Sequence, residues 1–256
     1  MASKKQQVAD MLNAVKTGNA RALTVLHPTI YKQHNPEIAD GPTGIRAVLF
    51  AIKDTLQTNI VRIFQDGEYV FAHMDYFDAV TKGSGARVAF DIWRFEDGQV
   101  VEHWDNFQIN HSDPNPFSGR TMTDGPTEVT DLDRTETNKA VVRELVEDRI
   151  AGRFDKLADY FVDGVYIQHN PTIDTSLAGL AALGENGPVY NRLHLVLGEG
   201  NFVLTTCEGS LKGQPTAFFD LFRLENGKIR EHWDTIETIP PKTEHKNDNG
   251  KFEGTP

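Results

Sequence analysis

The sequence is poor in the features that mark several large classes of protein. Cys207 is its one cysteine, so no intrachain disulfide can form, and we expect a reducing, cytoplasmic environment. No apolar run approaches the roughly 20 residues that cross a bilayer, and the start MASKKQQVADMLNAV lacks the apolar core of a secretory signal. The net charge is −11 and no basic stripe carries interleaved aromatic residues, which predicts binding to neither nucleic acid nor membrane.

What the chain does contain is an internal repeat. FDIWRFEDGQVVEHWDNFQ at 90–108 aligns without gaps on FDLFRLENGKIREHWDTIE at 219–237, with nine of nineteen positions identical. Upstream, YKQHNP at 31–36 matches YIQHNP at 166–171. Two matched motifs in the same order predict a duplicated domain, with copy one at 1–110 and copy two at 138–240.

The segments outside the two copies are polar. Residues 111–137 are rich in Pro, Gly, Ser, Thr and Asp, which predicts a linker that can pack on a domain surface. Residues 241–256, PKTEHKNDNGKFEGTP, predict a disordered tail.

Both copies show the same order of predicted elements. Apolar residues at helical spacing predict a first helix that carries Val8 and Met11 in copy one, and Val142 and Leu145 in copy two. A short second helix, a strand that ends in Gln-His-Asn-Pro and a third helix follow, the last near 45–52 and 177–183. Four strands complete the unit, in copy one near 59–65, 69–77, 86–95 and 99–109. Helices on one face of a curved, mostly antiparallel sheet make an α+β fold.

The last two strands of each copy form a hairpin whose register decides which side chains meet. A two-residue turn would pair Phe95 with Val100, and a three-residue loop would pair Phe95 with Gln99. The three-residue loop is the expectation, because only that register gathers the titratable groups on one face among apolar residues, as in a pocket. This pocket face would carry Asp91, Trp93, His103, Asp105 and Phe107, and in copy two Asp220, Phe222, His232 and Asp234.

The opposite face is predicted to pack against another sheet. In copy one it carries Phe90, Ile92 and Trp104, with Arg94 and Glu102 able to form an ion pair. Its repeat carries Phe219, Leu221 and Trp233. The partner sheet would be the other copy or a second chain in a homodimer.

Together, the motifs Tyr-x-Gln-His-Asn-Pro and Phe-Asp-x-x-Arg-x-x-x-Gly-x-x-x-Glu-His-Trp-Asp resemble the SnoaL-like polyketide cyclases of the NTF2-like superfamily. They are most similar to the branch described as predicted aldol-condensation-catalysing proteins. The resemblance implies two tandem cone-shaped α+β barrels, each with its helices on the concave face of the sheet and a pocket between the two. It also implies that a pocket aspartate acts as acid and base on an acidic carbon, without cofactor or metal.

By this resemblance, Asp105 and Asp234 are the first candidates for the catalytic aspartate, with Asp91 and Asp220 next. Ketosteroid isomerases share the fold, and their catalytic aspartate before a proline falls near Asn35 and Asn170. An amide cannot act as a general base, so isomerase chemistry does not transfer directly at that position.

Histidines supply further candidates. His103 with Asp105, and His232 with Asp234, can transfer protons, or they can form a structural hydrogen bond that joins two strands. His73 is a third candidate base whose counterpart is Thr206, so copy one is expected to be the better equipped. Because side chains alternate along a strand, only one set of the motif side chains can line each pocket. In copy one this is either His34 or the pair Gln33 and Asn35, and in copy two it is either His169 or Asn170. No close His pair fixes metal geometry, so no metal is predicted.

Three functions stay open from the sequence. The first is a cofactor-independent lyase, cyclase or isomerase that acts on a small carbonyl compound, and replacing Asp105 and Asp234 would abolish its turnover. The second is a non-catalytic binder of small molecules, whose binding would survive those changes. The third is a protein-association module, which would have no enclosed pocket.

Overall fold

The computed structural model describes residues 2–17, 20–52, 57–77, 85–164, 166–176 and 187–253. The chain divides into two compact units. The first unit contains Met1–Asn110 and Ile239–Gly254, and the second contains His111–Thr238 with the last two residues. The helix predicted at 177–183 lies outside the described residues.

Each unit combines helices with a five-stranded sheet. The helices are α1 (Lys4–Thr17), α2 (Gly41–Ile52) and α3 (Thr135–Ile150), and the 3₁₀ helices are Ala20–Val25, Leu132–Arg134, Phe154–Tyr160, Val162–Gly164 and Lys242–Glu244. The first sheet consists of β1 (Lys32–Gln33), β2 (Gln57–Asp66), β3 (Tyr69–Phe77), β4 (Arg87–Glu96) and β5 (Gln99–Ile109). The second consists of β6 (Ile167–Gln168), β7 (Pro188–Glu199), β8 (Phe202–Leu211), β9 (Gln214–Glu225) and β10 (Lys228–Thr238).

The two sheets have the same strand order. It runs β1-β5-β4-β3-β2 in the first sheet and β6-β10-β9-β8-β7 in the second. The short strands β1 and β6 pair in parallel with β5 and β10, and the other neighbours are antiparallel. The predicted α+β class with two similar domains is confirmed.

The helices cover the sheet face on which the candidate site lies. In the first unit, Val8 and Met11 of α1 belong to one buried cluster with Ala72, Ala89 and Trp93 of the sheet. In the second unit, α3 packs in the same way against β8 and β9. Burying such side chains stabilises a fold by about 25 cal/mol per Å² of apolar surface, so these clusters hold the helices on the sheets. Among the described residues, no helix is long and apolar enough to span a membrane.

The polar segments are folded parts of the units. Residues 111–137 lie within the second unit, and residues 239–254 lie within the first. The disorder predicted for 241–256 is not what the structure shows for 241–253, where Asn247, Lys251 and Phe252 are buried. Composition misled here because the polar side chains bond to backbone groups of the first unit, as described below, and this satisfies them without an apolar surface of their own.

Candidate functional site

A bulge in β5 sets the faces of the last hairpin. Asp97 and Gly98 form a two-residue turn with φ values of 48° and 78°, which twists in the sense that a tight hairpin requires. Phe95 therefore pairs with Val100, so the expected three-residue loop is wrong. The register then shifts by one residue, and Arg94 pairs with Glu102.

Because of this bulge, the titratable side chains still lie on one face of the hairpin, as predicted, although the turn has two residues instead of three. Beyond the bulge, Asp91 pairs with Asp105 and Trp93 pairs with His103, all on the helix-covered face. The second unit repeats the shift after Ile229, and Asp220 pairs with Asp234. We call the groups around Asp91 and Asp105 the first site, and those around Asp220 and Asp234 the second site.

In the first site, four side chains form a hydrogen-bonded chain. The Tyr76 hydroxyl donates to Asp91 Oδ2 at 3.0 Å, and Asp91 Oδ1 lies 3.2 Å from His103 Nε2. His103 Nδ1 lies 3.2 Å from Gln33 Oε1. All four side chains are buried. Burial raises the pKa of Tyr76 well above its ordinary value, and the charge of Asp91 adds to that shift, so the phenol stays a proton donor.

Gln33 fixes which nitrogen of His103 carries a proton. Its Oε1 already accepts the backbone N–H of Asn35 at 2.9 Å, and this oxygen can only accept, so His103 Nδ1 must donate to it. Nε2 then meets Asp91 Oδ1 either with a second proton of its own or by accepting one from the carboxyl group. A hydrogen bond between Nε2 and Oδ1 therefore requires a proton on one of these two atoms.

Asp105 is the second carboxyl group of the first site, and its partners differ from those of Asp91. Asn35 donates from its side-chain nitrogen to Asp105 Oδ2 at 2.9 Å. Lys251 Nζ lies 3.8 Å from Asp105 Oδ1, and both residues are buried. Burial and the charges of Asp105 and Asp91 raise the pKa of the adjacent Tyr31 well above its ordinary value.

The second site contains the same chain with different spacing. The Tyr190 hydroxyl lies 2.9 Å from Asp220 Oδ1, which in turn lies 3.0 Å from His232 Nε2. His232 Nδ1 lies 3.2 Å from Gln168 Oε1, which accepts the backbone N–H of Asn170 at 2.8 Å. Gln168 therefore orients the ring of His232 as Gln33 orients that of His103.

Asp234 of the second site is poised near neutral pH. Asn170 donates to both of its carboxylate oxygens at 2.9 Å. Burial raises the pKa of Asp234 from 3.8 to about 6, an effect that His232 opposes and the nearby Asp220 charge reinforces. A carboxyl group with this pKa exists largely as a base at pH 7 and remains easy to protonate.

An apolar cavity opens on the second site. Asp220, His232 and Asp234 line it together with Arg149 of α3 and with a largely apolar wall of Leu145, Val146, Leu157, Phe161, Tyr166, Ile173, Pro188, Phe222 and Ile236. The Arg149 guanidinium lies 4.1 Å from the centre of the Tyr190 ring, close enough for a cation–π contact. A few polar groups in an apolar wall are typical of a site for a small organic ligand.

The tyrosine that bonds the Asp–His pair comes from different strands in the two units. In the first sheet Thr58 of β2 pairs with Tyr76 of β3. In the second sheet the corresponding pair is Tyr190 of β7 with Gly209 of β8. A Cβ atom at Gly209 would clash with the backbone carbonyl oxygen of Val189 and would lie 3.0 Å from the Phe218 ring on which Tyr190 stacks, so this position has no room for a side chain. The hydroxyl-to-carboxyl bond is thus present twice with two origins.

His73 does not belong to the first site. It lies on the opposite face of β3, where its ring stacks on Phe90 at 4.5 Å and its Nδ1 lies 2.9 Å from Arg62. Strand alternation explains the error, because the helix-covered residues of β3 are Val70, Ala72, Met74 and Tyr76. The expectation that His73 makes copy one the better-equipped site therefore loses its basis.

His34 and His169 also face away from the two sites. His34 stacks on Trp104 with ring centres 4.6 Å apart, and its Nε2 lies 2.9 Å from Glu102. Arg94 donates to the other oxygen of Glu102 at 2.7 Å. Burial alone would raise the pKa of Glu102, but the hydrogen bonds and charges of these two partners lower it overall.

The second unit has the same network of His169, Glu231 and Arg223 around Trp233. The Trp233 indole donates to the carbonyl oxygen of Asp124 at 3.0 Å. These faces are structural, and their pairing with another sheet stays a prediction.

The remaining predicted residues lie on the site face. Trp93 and Phe222 flank the histidines, with ring centres 5.5 Å from His103 and 4.9 Å from His232. Phe107 packs edge-on against Tyr76 at 5.0 Å.

Sequence reasoning missed Tyr76, Tyr190, Arg149 and Lys251. Helical spacing from Leu145 and Val146 places Arg149 on the apolar face of α3, a signal that was available. Tyr76 shares strand parity with Met74, but its contact with Asp91 depends on the sheet register. Nothing in the tail sequence predicts the position of Lys251.

The carboxylates and histidines could also meet a metal ion. One ligand atom from each of Asp91, His103 and Asp105 falls within 4.8 Å of the others, and Asp220, His232 and Asp234 do the same. Two carboxylates and an imidazole suit a divalent cation. The tyrosine and asparagine donors also point at the carboxylate oxygens. The same groups can therefore transfer protons or bind a cation, and removal of metal with a chelator distinguishes the two roles.

Comparison with known proteins supports the resemblance for the first unit. Residues 8–103 match the family model of the SnoaL-like domain. TsrD from Streptomyces laurentii is 25% identical over 42% of this chain and 92% of its own, with a TM-score of 0.35. IdmH from Streptomyces antibioticus, a candidate polyketide cyclase, is 15% identical over 40% and 90%, with a TM-score of 0.33. A candidate ketosteroid isomerase from Kribbella flavida is 14% identical over 42% and 84%, with a TM-score of 0.36. No curated protein matches the chain.

Proposed function

We propose that this protein is a cofactor-independent acid–base enzyme that acts on a small carbonyl compound, in an aldol-type cyclisation or an isomerisation. Asp105 and Asp234 are the bases, and the Asp–His pairs beside them are the proton donors. The observation that carries the proposal is Asp234, a base with a pKa of about 6 in the wall of an apolar cavity.

The reaction begins with removal of a proton from carbon. The Asp234 carboxylate takes a proton from the carbon next to a carbonyl group, and the electron pair of the C–H bond moves to the carbonyl oxygen. His232 or its proton-sharing partner Asp220 donates a hydrogen bond or a proton to that oxygen as its charge develops. The enolate carbon then either attacks a second carbonyl group, which forms a C–C bond, or takes a proton back at another carbon.

The hydrogen-bonded chain supports the donor role of the histidine. Gln168 holds the proton on His232 Nδ1, so the proton available for transfer lies between Nε2 and Asp220. The hydroxyl of Tyr190 stabilises the negative charge that remains on Asp220 after the transfer. The same groups occur in the first site, which indicates that both units have the parts for this chemistry.

The apolar wall of the cavity supports an organic substrate. Apolar surroundings strengthen electrostatic interactions with the developing enolate and raise the affinity of the base for a proton. Water near the enolate would weaken these effects.

Exchange of hydrogen for deuterium tests the first step without knowledge of the natural substrate. The wild type is incubated in D₂O with cyclic and aryl 1,3-diketones and β-keto amides, and exchange at carbon is followed by NMR. The Asp105→Asn, Asp234→Asn double variant keeps the shape of both sites and should lose about 10²–10⁴-fold in rate, the usual contribution of a general base. Binding of the same compounds is measured in parallel.

Three outcomes of this experiment count against the proposal. Equal exchange rates in the wild type and the double variant would contradict the assigned bases. Binding without exchange in the wild type would indicate a non-catalytic binder. Loss of exchange with a chelator, followed by recovery with an added metal ion, would assign the carboxylates and histidines to a metal site.

A further inference from the structure

The segment 246–253, which we call the C-terminal strap, is fastened to the Gln-His-Asn-Pro corner of the first unit. The Lys246 backbone N–H donates to the Pro36 carbonyl oxygen at 2.7 Å. The Asn247 side chain donates to the carbonyl oxygens of Asn35 and Ile38 at 2.7 and 2.9 Å. Asn249 donates to the Gln33 carbonyl oxygen at 3.0 Å, and the Gly250 carbonyl oxygen lies 2.9 Å from His34 Nδ1.

Residues 115–122 make the same contacts in the second unit. Asn115 donates to the carbonyl oxygens of Asn170 and Ile173 at 2.5 and 2.8 Å. The Thr121 carbonyl oxygen lies 2.6 Å from His169 Nδ1, as that of Gly250 does from His34. The shared contacts are three residues apart in the first strap and six in the second. The residue after the histidine-bound carbonyl is Lys251 in the first strap and Met122 in the second, and we treat these two as corresponding.

The equivalent strap residues are both buried but differ in charge. Lys251 is 5% exposed and Met122 is 3% exposed. A buried ammonium group is costly unless an opposite charge lies beside it. Asp105 Oδ1 provides that charge at 3.8 Å.

The carboxyl groups of the first site need compensating charge. Asp91 and Asp105 are directly paired across two strands, and both are buried. Like charges in such a position disfavour each other, and the single imidazole of His103 can compensate only one of them. Among the described residues, the titratable and charged groups that face Asp105 include Asp91, His103, Tyr31, Tyr76 and Lys251.

We propose that the C-terminal strap is a functional part of the first site, in which Lys251 is a positioning residue whose ammonium group compensates the charge of the base Asp105. The second strap has Met122 at the corresponding place, and the cation near Asp234 is Arg149 of α3 instead. The role of Asp105 as base rests on the proposed function, but the charge compensation does not.

Trp93 gives a readout that belongs to the first site alone. Its ring lies 5.5 Å from His103, and the second unit has Phe222 at this position. The fluorescence of Trp93 is isolated by subtracting the signal of a matching Trp93→Phe protein and is followed from pH 4 to 9. Its transition reports proton binding by the coupled groups of the first site.

Replacing Lys251 tests the proposal. The Lys251→Met protein has the residue found in the other strap. Without the ammonium group the site should bind a proton in its place, and the fluorescence transition should move up by about 1–2 pH units. Lys251→Arg retains the charge and should restore the wild-type transition. Lys246→Met removes an exposed lysine of the same strap and should leave the transition unchanged.

Each result decides the matter. A Lys251→Met transition that coincides with the wild type would overturn the proposal, and so would an equal shift in Lys246→Met. If Lys251→Met does not fold, the Asp105→Asn, Lys251→Met double variant should fold because no uncompensated carboxylate remains, and failure of both would overturn the proposal. A shift without any deuterium exchange would support the inference while the proposed function fails.

Discussion

The two sites share a chain of hydrogen bonds and differ in the source of their positive charge. In both units a glutamine, a histidine, an aspartate and a tyrosine are bonded in the same order. The first site has Lys251 beside its second aspartate. The second has Arg149 in its cavity wall, at the helix position where copy one has Val15.

This difference separates the contacts that both units keep from those that vary between them. The tyrosine hydroxyl comes from β3 in the first unit and from β7 in the second, yet it bonds the equivalent aspartate, Asp91 or Asp220. A contact with two structural origins is more informative than a contact kept by one aligned residue. It indicates that the bonded Asp–His pair is the constant part of the two sites, whereas the nearby cation comes from a different segment in each.

The largest expected effect separates the two bases. Asp234→Asn should lower the exchange rate of the second site by about 10²–10⁴-fold, and Asp105→Asn should lower that of the first site by the same factor. The effect of each change is obtained by comparing the double variant with the single variant that lacks only the other base. A residual activity that is equal in both single variants would indicate equivalent sites, whereas loss in one variant alone would identify the working unit.

The next largest effect concerns stability and pH. The pKa of Asp234 is raised from 3.8 to about 6 in the folded protein, so folding favours its protonated form. The resulting stabilisation is fully present below about pH 4 and disappears as the pH rises through 6. At pH 8 the charged, buried group disfavours folding by up to about 3 kcal/mol relative to its neutral form.

Chemical denaturation at several pH values checks this expectation. The free energy of unfolding of Asp234→Asn relative to the wild type should increase between pH 5 and pH 8. A difference that stays constant over this range would contradict the raised pKa.

The tyrosines should give a smaller effect. Tyr190→Phe removes a hydrogen bond to the Asp220 carboxyl group, and Tyr76→Phe removes the one to Asp91. We expect each to lower the exchange rate of its own site about 10-fold, which corresponds to roughly 1.4 kcal/mol for a bond to a charged group. Tyr69→Phe is the matched control, because Tyr69 lies beside Trp104 away from the first site. An equal loss in all three variants would indicate a general effect on folding.

The smallest expected effect concerns His73. His73→Thr introduces the residue found at Thr206 of the second unit, on the sheet face opposite to the site. The exchange rate should change less than about 2-fold, although the loss of the contacts with Arg62 and Phe90 should lower the thermal stability. A 10-fold loss of exchange at unchanged stability would restore His73 as a candidate base.

The sequence by itself determined the duplication, the α+β class and most of the candidate groups. Asp91, His103 and Asp105, with their repeats, follow from strand alternation, because side chains two residues apart on one strand share a face. The repeat of Gln-His-Asn-Pro likewise identified Gln33 and Asn35. These inferences depend on local periodicity, which a chain carries in its order of residues.

Only the tertiary structure decided which groups complete each site. The bulge at Val100 and Val101 settled the hairpin register, and the pairing of β3 with β4 placed Tyr76 on Asp91 and His73 on the other face. Lys251 reaches Asp105 from 146 positions away, through a polar strap whose hydrogen bonds to backbone groups leave no periodic signal. Contacts of this kind depend on where the folded chain brings distant segments together, which the local residue pattern does not specify.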